Sequence, residues 1–141
     1  MSKHARTILT LIGAVGIGTL GLASAARAAD LTDAEIKSLI WGNSVYLETT
    51  GSGVTGKVGR GVIYYPGDGT ALYKTPLDVM WHGKTEFKGN TVCTDWKERP
   101  NTPCSSYDKV GDTISIIDVA TGQTRAKIVK TAPGNPEKLA P

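Results

Sequence analysis

The sequence predicts a mainly β protein, with a short N-terminal helix followed by an antiparallel meander of about eight strands in a small barrel or a strongly curled sheet. Three observations predict it. Short alternating or β-branched runs recur from residue 43 to residue 130. The segments between them are mostly brief and rich in Gly, Asn, Asp and Pro, the residues that tight turns demand. Only the stretch 32–41 combines a helical start signal, a helical period and a stop signal. Eight antiparallel strands on short connections can close on themselves and remove exposed sheet edges. A flatter sheet with the helix across one face is the alternative.

The N-terminus precedes this pattern. Lys3 and Arg6 form a basic start, "TILTLIGAVGIGTLGLASAA" is apolar and uncharged, and Ala26-Arg27-Ala28 has the small-x-small spacing of a signal-peptidase site. Residues 1–28 therefore read as a signal peptide cut after Ala28, with a cut after Ala25 as the alternative. An uncleaved anchor is the rival reading, because the run approaches the roughly 20 residues that span a bilayer. No Cys follows it, which argues against a lipid anchor. The chain has 16 Lys+Arg and 13 Asp+Glu, but Lys3, Arg6 and Arg27 lie in the leader and no acid does, so the remainder is formally neutral. The apparent basicity belongs to the leader and gives no argument for nucleic acid or an anionic membrane as a partner, and no membrane span is expected once the leader is cut. Residues 29–131 are expected to form one domain, enough to close a modest core, and 132–141 a Pro-rich tail.

The helix is expected over 32–41. Thr32 is the N-cap and Glu35, three residues on, completes a capping box; Leu31 and Ile36 suit a hydrophobic staple. Ile36, Leu39 and Ile40 give one apolar face, and Gly42 stops the helix. Strands are expected at 43–49, 57–65, 70–75, 79–87, 91–96, 104–110, 113–119 and 124–130. Alternation puts Val79, Trp81 and Phe87 on one face, against Met80, His82, Lys84 and Glu86. It likewise sets Ala126 and Ile128 against Arg125, Lys127 and Val129. "GSGVTGKVGRG" lacks the order of a phosphate loop and reads as a hairpin connection. The tail cannot join a sheet interior through its prolines.

Catalytic candidates are few. His82 is the single histidine beyond the leader and sits mid-strand without a nucleophile motif. Asp95 and Glu98 flank Trp96, but Arg99 follows them, which suggests a solvated charge cluster rather than a raised acid. No cofactor is expected, and two cysteines with one histidine fall short of a structural zinc site. The aromatic residues are more informative. Trp81, Trp96, Tyr64 and Tyr73 are the candidate ligand-binding residues, lining a barrel mouth or cleft suited to a small apolar or flat molecule. Tyr64 and Tyr65 must point to opposite faces. Lys97, Glu98 and Arg99, in the charged loop 97–103, are candidate contacts for a protein partner in the envelope.

Cys93 and Cys104 are the two cysteines of the chain. In an exported protein one disulfide is the default. Its closed loop would stabilise by roughly 2–3 kcal/mol in the chain-entropy model. The redox alternative wants a C-x-x-C spacing, which is not present.

The order "LTDAEIKSLIWGNSVY", "YYPGDGTALYK", "MWHGKTEFKGNTVCTDW", "CSSYDKVGDTISIIDVATGQ" and "APGNPEKL" resembles a family of small secreted proteobacterial proteins of unknown function. The shared features are the helix, a Gly-Asn lead into the first strand, a "DGT" turn, a W-x-x-x-G-x-x-x-C-type stretch, a second Cys and a late "GNP". Trp81 departs from that pattern by lying further from Cys93. The resemblance implies export and a compact β fold, and it carries no catalytic residues. The expected function is that of an exported, non-enzymatic domain, periplasmic or secreted, that binds a small ligand or an envelope protein. A secreted inhibitor or accessory subunit acting through loop 97–103 is the alternative, and a hydrolase using Asp95, Glu98 or His82 a third.

Overall fold

A computed structural model describes residues 29–141; the expected signal segment lies outside the described residues. The elements are β1 (Ala29–Asp30), α1 (Asp33–Ile40), β2 (Asn43–Thr49), β3 (Gly59–Tyr65), β4 (Thr70–Lys74), β5 (Met80–Lys88), β6 (Thr91–Trp96), β7 (Ser105–Val110), β8 (Thr113–Asp118) and β9 (Thr124–Pro133). Strands β2 to β9 pair in sequence order, all antiparallel, and β9 returns to β2 to close an eight-stranded barrel. Closure excludes the flatter sheet.

Alternation fills the barrel. Val45, Leu47, Ile63, Tyr65, Tyr73 and Trp96 point inward, with side chains at most 6% exposed. Two glycines make room for the large rings. A Cβ on Gly61 would lie 2.8 Å from Cε2 of Tyr73, and one on Gly83 would lie 2.8 Å from Cε3 of Trp96. Both rings thus lie against backbone that carries no side chain. Val79 departs from the expected face: it precedes β5 and is 49% exposed at the rim.

The helix closes one end, beside the turns 66–69, 89–90 and 111–112. Its capping box is formed, with Thr32 and Glu35 satisfying each other's backbone N–H groups. The Asp33 N–H donates to Asn90 Oδ1 at 3.0 Å, and the Gly42 N–H to the Tyr65 carbonyl at 2.7 Å. Gly42 adopts φ 73°, which ends the helix at little steric cost. Ile36 and Ile40 are fully buried, each worth about 1.5–3 kcal/mol relative to exposure.

The β6–β7 seam is the weakest in the barrel, with a single registered pair, Val92 with Ser105. Two devices hold it. The disulfide Cys93–Cys104 lies immediately beside that pair. Further down, β1 lies along the edge of β7, pairing Ala29 with Lys109 and Asp30 with Asp108, and the Leu31 N–H donates to the Tyr107 carbonyl at 2.8 Å. Nothing in two residues of sequence signals such a strand.

At the C-terminus β9 runs through Pro133, two residues into the expected tail, where a strand end requires no further N–H. The tail then folds back on the outer wall. Leu139 is 8% exposed against Val62 and Leu72, and Asn135 brackets it with hydrogen bonds to its N–H and carbonyl. Among the described residues no helix is long and apolar enough to cross a membrane.

Candidate functional site

The end opposite the helix is the mouth, where loops 50–58, 75–79, 97–104 and 119–123 gather. Loop 50–58 folds over it. The Thr50 N–H donates to the Arg125 carbonyl at 2.9 Å, Gly53 is buried and Val54 packs on the core. Loop 97–104 meets it from the other side. The Lys97 N–H donates to the His82 carbonyl at 2.9 Å, and Arg99 Nη1 donates to the Val54 carbonyl. The two loops are thus joined above the barrel.

Beneath them is a cavity of about 60 Å³. Its walls are apolar at Ile63, Val92 and Ile116. Its polar groups come from Tyr65, Tyr73, Tyr107, Thr94 and Arg125, with Trp96 beside them. Burial pushes the Tyr107 hydroxyl up to about 12, opposed in part by its hydrogen bond with Tyr65 and by the charge of Arg125. Burial likewise carries Tyr73 up to about 12, opposed by the Thr55 hydroxyl, and drives Tyr65 well above the ordinary tyrosine value. All three therefore face the cavity as neutral hydroxyls across the physiological range, able both to donate and to accept.

Arg125 is the residue that alternation misplaces. Ile116 pairs with Ala126 and Ile117 with Thr124, so Arg125 is an extra residue in β9, a β-bulge. A bulge re-aims a side chain, and this one turns inward to 6% exposure instead of outward. The guanidinium is held by Asp118 Oδ2 at 2.8 Å, the Pro103 carbonyl at 2.8 Å and Ser105 Oγ at 2.6 Å. Burial pushes the Asp118 carboxyl up, but the Arg125 hydrogen bond and the Ala120 and Thr121 N–H groups outweigh it and hold the carboxyl below its usual value. The charge is thus compensated within the protein.

The expected aromatic residues divide. Tyr73, Trp81 and Trp96 form one cluster, with ring centroids 5.6–6.2 Å apart. Tyr73 and Trp96 line the cavity, and half-buried Trp81 packs against them. Tyr64 lies on the outer wall with Val62, Leu72 and Leu139, away from the other three, while Tyr65 points inward.

The charged loop also divides. Lys97 is exposed. Glu98 folds back on His82, accepting its backbone N–H at 2.9 Å and meeting Nδ1 at 2.9 Å. Burial would raise Glu98, but these two bonds outweigh it and hold the carboxyl below its usual range. Arg99 is committed to Val54. Asp95 pairs in register with Lys84 on β5 and does not join Glu98 and His82. Among the described residues no cluster of His, Cys, Asp and Glu is placed to hold a metal ion. Cys93 and Cys104 form the disulfide.

The chain matches no family model, no curated protein and no solved structure. The geometry of the interior is therefore the basis for a functional reading. The interior has apolar walls, three neutral hydroxyls, one compensated guanidinium and a cover of two joined loops.

Proposed function

We propose that the protein is an exported, non-enzymatic barrel that holds a small organic molecule in its interior, entering at the mouth. The observation that carries this reading is the cavity between Tyr65, Tyr107 and Arg125, covered by loops 50–58 and 97–104. Apolar walls with a few converging polar groups are the usual make-up of a small-molecule site. The volume suits a ligand of a few heavy atoms with an apolar body and one hydroxyl, carbonyl or amide tip. Anything larger requires Val54 and its loop to swing away.

The Cys93–Cys104 disulfide supports an oxidising, exported location. Kinship with the small secreted proteobacterial proteins belongs to the same proposal. The interior is favoured over loop 97–103 as the binding element because Glu98 and Arg99 turn to His82 and Val54, leaving Lys97 as the one side chain of the trio not fastened to a neighbouring segment among the described residues.

A panel of short alcohols, amides and carboxylic acids, followed by native mass spectrometry and thermal shift, tests the proposal. Binding is expected, weakened about 3- to 10-fold by Tyr107→Phe, the loss of one hydrogen bond. An interior that takes none of these compounds, or turnover of one that persists through repurification, sinks it.

A further inference from the structure

We infer that the mouth of the barrel is a docking face for an anionic lipid bilayer. Exposed large hydrophobic side chains concentrate there. Of the six exposed among the described residues, Val58 (76%), Leu77 (61%), Val79 (49%) and Val119 (52%) stand on the mouth loops, while Val110 and Val129 lie elsewhere. Val58 and Leu77 belong to one knuckle, because a Cβ on Gly59 would lie 2.8 Å from Cβ of Pro76. Val119 stands on the opposite side of the rim, at the end of β8.

The knuckle is built to hold its apolar tips outward. Thr75, 4% exposed, accepts the Leu77 and Val79 N–H groups through Oγ1 at 3.3 and 3.2 Å, and its own N–H donates to the Val79 carbonyl at 2.9 Å. Lys74 Nζ pairs with Asp78 at 2.9 Å across the same turn. Leu77 is therefore presented to solvent by a hydrogen-bonded turn with a buried threonine at its base.

Charge selects the partner. Of the acids near the mouth, Asp78 is paired with Lys74 and Asp118 with Arg125, Asp95 stands opposite Lys84 in the strand register, and Glu98 bonds His82. Lys57, Lys97 and Arg99 have no carboxylate partner within 4 Å among the described residues. On the outer wall just below, Glu48 stands between Arg60 and Lys127 in the strand register and Glu137 shares a groove with Arg60, so these four groups balance and the excess base of this end lies in Lys57, Lys97 and Arg99. The helix end is richer in acid: Asp68, Asp112 and the adjacent Asp30 and Asp108 join no salt bridge among the described residues, and Glu35 has only Lys109 nearby. Residues 29–141 are neutral in sum, so the bias is one of distribution. Bases at the mouth are drawn to an anionic surface while acids at the far end are repelled, which orients the barrel mouth-down. Apolar side chains flanked by bases are the composition that settles into a headgroup layer. A protein partner would meet the same apolar tips without requiring anionic lipid. The inference does not depend on what the cavity holds.

Cosedimentation with vesicles tests it, using the chain purified as cells accumulate it. Mixed phosphatidylglycerol–phosphatidylcholine vesicles and pure phosphatidylcholine vesicles are compared at low and high salt. Binding is expected to the anionic vesicles, to weaken with salt, and to fall at least about tenfold in Val58→Ser/Leu77→Ser. Val110→Ser/Val129→Ser, with equal apolar loss away from the mouth, is expected to bind like the parent. No binding, equal binding to neutral vesicles, or unchanged binding by Val58→Ser/Leu77→Ser overturns the inference and leaves the apolar tips to a protein partner. Unchanged circular dichroism and melting of both variants show that lost binding is not lost fold.

Discussion

Arg99 reaches across the mouth of the barrel and donates from Nη1 to the carbonyl oxygen of Val54. The loop that carries Arg99 is itself pinned to the wall, because Glu98 accepts the His82 N–H and the Lys97 N–H reaches the His82 carbonyl. A glycine-rich segment is thereby fastened over the interior from a fixed point.

Removing that fastening frees the cover while leaving the barrel intact. Arg99→Ala is expected to speed amide exchange in residues 50–58 several-fold and to cost only about 1 kcal/mol in global stability, the usual net value of one hydrogen bond. Hydrogen exchange read by mass spectrometry checks it. Exchange in that loop equal to the parent's would show that the contact does not hold the cover down.

The disulfide lies beside the one registered pair of the β6–β7 seam, so its loss should open that seam first. Cys93→Ser/Cys104→Ser is expected to cost about 2–5 kcal/mol, a fall in melting temperature of roughly 10 °C or more for a domain of this size. Exchange should rise earliest in β6 and β7. An unchanged melting temperature under reducing conditions would contradict this.

Asp108 and Asp30 face each other where β1 meets β7. Their hydrogen bond, with burial and mutual repulsion added, raises the Asp108 carboxyl above its ordinary value. A raised acid stabilises the fold in its protonated form. That contribution is fully present below the unfolded value near pH 4 and is lost as pH rises through the folded value. At neutral pH the pair therefore opposes the docking of β1. Asp108→Asn is expected to stabilise the neutral-pH protein by a few tenths to about 1 kcal/mol and to slow exchange at Leu31, whose N–H bonds the Tyr107 carbonyl. The gain should vanish near pH 3. A variant less stable than the parent at pH 7 would contradict the assignment.

Most of the framework was legible because its signals are local. The capping box of Thr32 and Glu35, Gly42 after the helix, and strands such as 43–49 and 91–96 are each written within a few residues. The cysteine pairing followed from the number of cysteines and the expectation of export. The candidate site was legible only in part. Tyr73 and Trp96 were expected in an aromatic-lined interior and line the cavity. Arg125 was missed because a bulge is a property of pairing with β8, invisible in the alternation of β9 alone. Val54 was missed because one apolar residue among glycines carries no period. Tyr65 and Tyr107, which supply the inward hydroxyls, differ from outward Tyr64 only in register. Register is set by the closed barrel as a whole.

The central claim is that the interior beneath Arg99 and Val54 is a binding site. The most direct measurement is a titration of the isotopically labelled protein with the short alcohols, amides and acids, followed by nuclear magnetic resonance of its amide and side-chain signals. The account predicts saturable shifts at Tyr65, Tyr107, Trp96 and Ala126 with at least one compound, weakened in Tyr107→Phe and faster in onset in Arg99→Ala. Shifts confined to the outer wall around Tyr64, or no saturable shift inside the barrel with any compound, would contradict it.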